Sequence, residues 1–150
     1  MTAEWNNRSS KIQINTPYEA LIIASIIERE SGAKVELSII SGVIHRRLKI
    51  GMPLQMDPTV YYGLGKPYSE TLSRTDLNTD TDYNTYSRLG LPPSPICLPS
   101  EASIIAALHP DDSGALYFVA SGLNDGRHQF SASLDDHNEA VKIYRERLLR

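Results

Sequence analysis

Cysteine is nearly missing: Cys97 stands alone among 150 residues, so no internal disulfide can form and no cysteine-based metal cluster can be drawn. The redox compartment is left open. A strong excess of either charge is missing too. Fifteen Lys and Arg against 18 Asp and Glu give a net charge of −3, with no basic stripe to follow a phosphate backbone, which argues against nucleic acid as a partner. No apolar run approaches the roughly 20 residues of a membrane span. The longest, Ala20 to Ile27, is broken by Ser25 and reads as a buried helix. Residues 1–15 are polar and lack the apolar stretch of a signal peptide, so either the protein stays in the cytosol or its targeting segment lies beyond these residues. His45, His109, His128 and His137 have no metal-ligand spacing, and Gly63-Leu64-Gly65 lacks both a further glycine and the preceding strand of a phosphate loop. No metal and no cofactor is expected.

What is present describes one domain. At 41% apolar residues, a chain of this length buries roughly 70% of its unfolded surface around a single core, and a second full domain has no room. Among the aromatics, eight Tyr against one Trp and two Phe favour side chains that join a flat apolar face to a hydroxyl.

The pattern predicts an α+β fold dominated by helices, with one small antiparallel β-hairpin and long Pro- and Tyr-rich loops. Behind the polar segment 1–15, the body of the domain spans residues 16–150. Thr16-Pro17-Tyr18-Glu19 has the form of a helix start, with Thr16 as N-cap and Glu19 as the reciprocal acid, and that helix runs to about Ser31 or Gly32. A second helix is predicted from about Val35 to Lys49, with Ile39, Ile40, Val43, Ile44 and Leu48 at helical spacing and Gly51 as its stop. Arg46, Arg47 and Lys49 favour its negative C-terminal end. From Gly51 to Ser100 lie seven of the nine prolines and five of the eight tyrosines, predicting loops and short helices. Asp57-Pro58 caps one such helix over Thr59 to Leu64, and Ser100-Glu101 opens another to about Leu108. Leu116 to Ser121 and His128 to Ser133 are strand-like around Asp125-Gly126, and Ser133-Leu134-Asp135-Asp136 opens a last helix rich in arginine at its end.

Three places can carry chemistry. Ile23, Ile26, Ile27 and Glu30 share one helical stripe, whereas Glu28 falls on the side of Leu21 and Ala24. Apolar neighbours and the negative helix end both disfavour the Glu30 carboxylate, giving it the profile of a general acid. Alternatively Glu30 emerges at a frayed helix end and pairs with Arg29, Lys34 or Arg46. In Leu54 to Gly65, Gln55 and Asp57 offer hydrogen bonds suited to sugar hydroxyls or amides beside tyrosines, although Asp57 also reads as a plain N-cap. Tyr83-Asn84-Thr85-Tyr86, followed by Gly90-Leu91-Pro92-Pro93, is either a groove wall or a surface turn. Cys97, among prolines and without a neighbouring base, reads as a packed thiol.

Together these residues resemble the endolytic murein transglycosylases of the bacterial YceG-like family. The resemblance runs through ASIIERES (Ala24 to Ser31), GMPLQMDPTVYYGLG (Gly51 to Gly65), LSRTDL (Leu72 to Leu77), YNTY, GLPPSPI (Gly90 to Ile96), the LYFVA strand (Leu116 to Ala120) and His137-Asn138. It implies an enzyme that cuts inside peptidoglycan glycan strands with a single catalytic Glu, the second of the Glu-x-Glu pair, which falls on Glu30. Gln55, Asp57, Tyr83, Asn84 and Tyr86 are then assigned to sugar positioning, without cofactor or metal. Departures from the family pattern are Met56 for Thr, Arg46 for Asn, and Ser94, Leu98 and Ser100 for Gly, Asn and Gly, which bear on groove shape and substrate register. Family members carry an N-terminal membrane helix and a small LysM-like subdomain. The expected location is therefore the cell envelope, at the outer face of the cytoplasmic membrane, with membrane contact only through segments outside these residues and with cell-wall synthases as potential partners. Three rivals remain at this point. One is a hydrolytic muramidase with Asp57 as second carboxylate, which the absence of an obvious second acid beside Glu30 disfavours. Another is a non-catalytic glycan-binding or scaffold module. The third, a pyridoxal-phosphate lyase, is disfavoured because Lys11, Lys34, Lys49, Lys66 and Lys142 lie in no recognisable setting for that cofactor.

Overall fold

The computed structural model describes all 150 residues, Met1–Arg150. In chain order these form α1 (Thr2–Asn6), α2 (Pro17–Glu30), a 3-10 turn (Lys34–Glu36), α3 (Leu37–Ile50), α4 (Asp57–Leu64), α5 (Arg74–Asn78), α6 (Glu101–Leu108), β1 (Tyr117–Ala120), β2 (His128–Ser131) and α7 (Leu134–Leu148). This is the expected helix-dominated α+β arrangement with one antiparallel hairpin.

The core is built on α2. Thr16 Oγ1 accepts from the Glu19 N–H and Glu19 reaches back to the Asn15 N–H and the Thr16 hydroxyl, so the helix starts where the capping pattern put it. Ala20 and every residue from Ile22 to Ile27 are buried, and α3, α4 and above all α6 pack around them. Burying each of the four isoleucines contributes about 1.5–3 kcal/mol, and truncating one to alanine should cost about 2–5 kcal/mol. Ser25, which interrupts the apolar run, is not a flaw in this core. Its hydroxyl donates to the Ile22 carbonyl at 2.7 Å and accepts from the Ile96 N–H at 3.0 Å, pinning the Pro-rich loop onto the helix. The half-buried Cys97 thiol donates to the Ser25 carbonyl at 3.3 Å, and burial raises its pKa, as suits a packed thiol.

Three expectations need correction. The second helix begins at Leu37, not near Val35, because Lys34–Glu36 forms a 3-10 turn that leaves Val35 exposed and buries Glu36. The Glu36 carboxylate accepts from the His128 N–H at 3.0–3.1 Å, so an acid that would otherwise sit in a helix start anchors the hairpin instead. Asp57 does not cap α4 from outside: it is the first helical residue, Met56 is the N-cap, and no side chain caps this end. Helix α5, with its Ser73–Asp76 capping box, is an addition, since five residues leave no apolar period to read. Residues 1–15 carry α1, place Ile14 in the core, and are tied in through the buried His45. His45 Nδ1 accepts from the Gln13 N–H, which leaves Nε2 as the donor to the Ala107 carbonyl.

The hairpin pairs Tyr117 with Ser131 and Ala120 with His128. Its connecting loop is held against the C-terminal end of α2 by two glycines. A Cβ on Gly32 would stand 2.7 Å from the Gly126 carbonyl oxygen, and one on Gly126 would stand 2.6 Å from that of Gly32. Only glycine on both sides permits this approach, which brings the sheet beside Glu30. Ser133 caps α7 by accepting from the Asp136 N–H, and α7 packs back on both strands. No helix is long and apolar enough to cross a membrane.

Candidate active site

A cleft of about 640 Å³ opens where the end of α2, the 54–57 segment, the hairpin and α7 meet. Glu30, Gln55, Asp57 and Tyr86 all line it. Local rules place each of them. Glu30 is the last residue of α2, one turn beyond the wholly buried Ile23, Ile26 and Ile27. Gln55 adopts a left-handed backbone, φ 52°, uncommon for a residue with a side chain and a feature that clusters at functional sites. A buried threonine pair holds that turn. Met56 N–H donates to Thr85 Oγ1 at 2.9 Å, Thr85 and Thr59 hydroxyls lie 2.8 Å apart, and Gln55 N–H donates to the Thr85 carbonyl at 3.2 Å. These bonds sew segment 55–59 to segment 84–86. The Tyr86 hydroxyl is thereby brought onto the Asp57 carboxylate, to which it donates.

The two acids of α2 are driven in opposite directions. Glu28 accepts from the Ser103 hydroxyl at 2.5 Å, the Ser100 hydroxyl at 2.7 Å and the Ser100 N–H at 3.2 Å, and these bonds hold its carboxyl below the ordinary range. It faces the start of α6 and does not line the cleft. Glu30 makes no ion pair or side-chain hydrogen bond, so the pairing with Arg29, Lys34 or Arg46 does not form. Burial first, and then the negative charge of Asp57, push its pKa up to about 8. Such a divergence between neighbouring carboxyls separates a protonated acid from a permanent carboxylate. Burial, then the charge and hydrogen bond of Asp57, also raise the Tyr86 phenol above its ordinary range, so it stays a donor. Asp57 is thus a second acid beside Glu30, contrary to the sequence reading.

Not every candidate reaches the cleft. Asn84 is buried, its Nδ2 donates to the Leu77 and Thr79 carbonyls, and its Oδ1 accepts from the Tyr86 and Ser87 N–H groups. Its amide is fully engaged in shaping the backbone that presents Tyr86. Tyr83 packs edge-on against Tyr62 and shares a hydrogen bond with Ser94, outside the cleft. Of the five departures from the family pattern, only Met56 lines the cleft. Arg46 ties α3 to Asp111 and Ala115, Ser94 serves Tyr83, Leu98 is 93% exposed, and Ser100 caps α6 and holds Glu28.

Several cleft residues carried no functional signal in sequence. Arg47 read as a favourable charge at a helix end, yet it is buried and binds the carbonyls of Pro53, Leu54 and Leu116, joining the Gln55 segment to the hairpin. Thr59 and Thr85, which the sequence does not single out, are buried behind the cleft and do not line it. Tyr117, His128 and His137 complete the wall, with Tyr117 stacked on His137 at 5.1 Å between ring centroids. The joint presence of Arg47, Thr59 and Thr85 is set by contacts 26 or more residues apart, which no local pattern reveals.

Comparison with known proteins places this cleft in a family context. The YceG-like family matches residues 1–143. A Bacillus subtilis protein named endolytic murein transglycosylase is 42% identical over 127 residues, covering 85% of this chain and 34% of that protein. A Streptococcus pneumoniae protein of the same name is 32% identical over 139 residues, 89% of this chain and 24% of that protein. The crystal structure of a YceG-like protein from Listeria monocytogenes aligns with a TM-score of 0.73 at 42% identity, over 78% of this chain and 38% of that one. The chain therefore spans about a third or less of the length of the curated relatives it matches.

Proposed function

The chain belongs to the YceG-like family, and from that premise we propose that it is the catalytic domain of an endolytic peptidoglycan lytic transglycosylase, with Glu30 as its acid and base. The observation that carries this reading is Glu30 itself: an unpaired carboxyl on the wall of a cleft of about 640 Å³, with its pKa pushed up to about 8. Near neutral pH it holds the proton that bond cleavage needs. Glu30 donates that proton to the glycosidic oxygen between N-acetylmuramic acid and N-acetylglucosamine as an oxocarbenium-like state develops at C1. The resulting carboxylate then takes the proton from the muramoyl 6-hydroxyl, which closes on C1 to give a 1,6-anhydro end. One bond breaks, one forms, and no water is consumed.

Gln55, whose side chain bonds to nothing within the protein, and the Asp57–Tyr86 pair supply groups for sugar hydroxyls and acetamides. Asp57 also places a negative charge near the developing cation. Its position beside Glu30 favours a second reading, hydrolysis with Asp57 activating water, the two-carboxylate arrangement of most glycosidases. The lytic reading is preferred because the relatives bear that name. A place at the outer face of the cytoplasmic membrane, and association with cell-wall synthases, follow from the same reading.

Digestion of purified glycan strands, with product masses compared for wild type and Glu30→Gln, tests it. Anhydro ends from the wild type and none from the variant are expected. Products one water heavier would establish hydrolysis, and a Gln variant that still releases anhydro ends would remove Glu30 from its role.

A further inference from the structure

Arg47 is only 6% exposed, yet no carboxylate of the protein faces it. Its Nε donates to the Leu116 carbonyl at 2.8 Å and its Nη1 to those of Pro53 and Leu54 at 3.0 and 2.9 Å. Nη2 has no partner, and it is not among the polar atoms sealed from solvent, so its N–H groups open onto the cleft that Arg47 lines. The groups that act on its charge are the phenols of Tyr117 and Tyr86, both cleft residues. A guanidinium taken out of water without a counter-ion is costly, and three neutral carbonyls orient it without neutralising it. Lysine could not make these three bonds and still present a planar donor edge.

A second unpaired group lies on the same wall. Neither ring nitrogen of His137 is bonded within the protein, and Nδ1 is sealed from solvent. The His137 ring stacks on Tyr117, whose own ring centroid is 5.3 Å from the Arg47 Cζ. Glu30 is moved by burial and Asp57 and not by Arg47. Arg47 is therefore not the acid's counter-ion, and its free edge is available to a ligand.

We infer that Arg47 forms an anion subsite, separate from Glu30, for a carboxylate attached to the lactyl position of a muramoyl residue. The inference rests on the glycan-strand reading above and adds a recognition element to it. Two sources share this chemistry: the lactyl carboxylate itself where the sugar bears no peptide, and a carboxylate of the stem peptide where one is joined there by an amide. A glycan of N-acetylglucosamine alone has neither, so the subsite would distinguish muramoyl strands from chitin-like ones and fix which sugar lies on which side of Glu30.

Calorimetric titration of the 150-residue chain with three disaccharides tests this. They are N-acetylglucosaminyl-N-acetylmuramic acid, its lactyl methyl ester, and the same disaccharide amide-linked to L-alanyl-D-glutamate. At least one of the two carboxylate forms is expected to bind about tenfold more tightly than the ester, equivalent to about 1.4 kcal/mol, and the form that does so names the source. Bound carboxylate should also raise the pKa of His137, followed by ring proton shifts, because the charge of Arg47 now helps to hold it down after burial. In a folded Arg47→Lys variant the preference should fall below threefold. Equal binding of ester and both acids, while strands are still cut, overturns the subsite and leaves the lytic reading intact. Strands left uncut together with no binding of any disaccharide overturn both.

Discussion

Replacing Glu30 with Gln should stabilise the protein, and by an amount that depends on pH. Glu30 is an acid whose folded pKa is raised from 4.5 to about 8. The folded state therefore binds a proton that the unfolded state has already released, and stability is fully present below pH 4.5 and is lost as pH rises toward 8. Between those limits each pH unit removes about 1.36 kcal/mol. The loss is about 1 kcal/mol at pH 5, about 3 kcal/mol at pH 7 and approaches 5 kcal/mol above pH 8, the last an upper bound because the cleft admits water. Glutamine has nearly the shape of the protonated acid and cannot ionise, so it avoids this loss. For a domain of this size, about 3 kcal/mol corresponds to roughly 6–12 °C in Tm. Urea or thermal unfolding of wild type and Glu30→Gln at pH 5, 7 and 8.5 measures it directly. A gain that is flat across those pH values, or absent at pH 8.5, would show that the fold does not hold this carboxyl protonated. The same titration predicts that cleavage by the wild type fails as pH rises through about 8, when the proton to be donated is gone.

Three further outcomes follow from particular contacts. Asp57→Asn removes the charge that, after burial, keeps Glu30 protonated, so the alkaline limb of the rate profile should move to lower pH, measured as kcat/KM against pH; an unmoved limb would leave burial as the whole cause. Ser103→Ala takes the shortest hydrogen bond from Glu28 and should cost about 1–2 kcal/mol at pH 7. Because the carboxyl of Glu28 is depressed in the fold, its contribution is present above the unfolded value and lost as pH falls, so the variant and wild type should converge in acid unfolding curves. Asn84→Ala strands two carbonyls and two N–H groups and should cost about 2–4 kcal/mol in urea unfolding. Where the variant remains folded, KM for glycan strands should change little if Asn84 shapes the backbone and does not touch sugar.

The sequence by itself determined most of the elements and placed Glu30 on the apolar stripe of α2. Thr16, Pro17 and Glu19 set the start of α2, Gly51 and Gly65 stop α3 and α4 in left-handed conformations, and the isoleucine stripe selects Glu30 over Glu28 as the residue facing apolar surroundings. These are local properties, fixed by backbone sterics and helical period over a few residues. Tertiary structure alone decided what surrounds that acid. Asp57 passed for a cap until the Thr59–Thr85 bond set Tyr86 against it. Asn84, equally plausible on paper as a sugar ligand, proved to be occupied by backbone. Arg47 looked like a charge at a helix end and became a buried cation on the cleft wall, because the hairpin that supplies the Leu116 carbonyl is 69 residues away in sequence. Hydrogen-bond satisfaction and desolvation depend on which distant segments pack together, so period and composition carry no record of them. The Gly32–Gly126 contact that brings those segments together is visible only once the chain has folded.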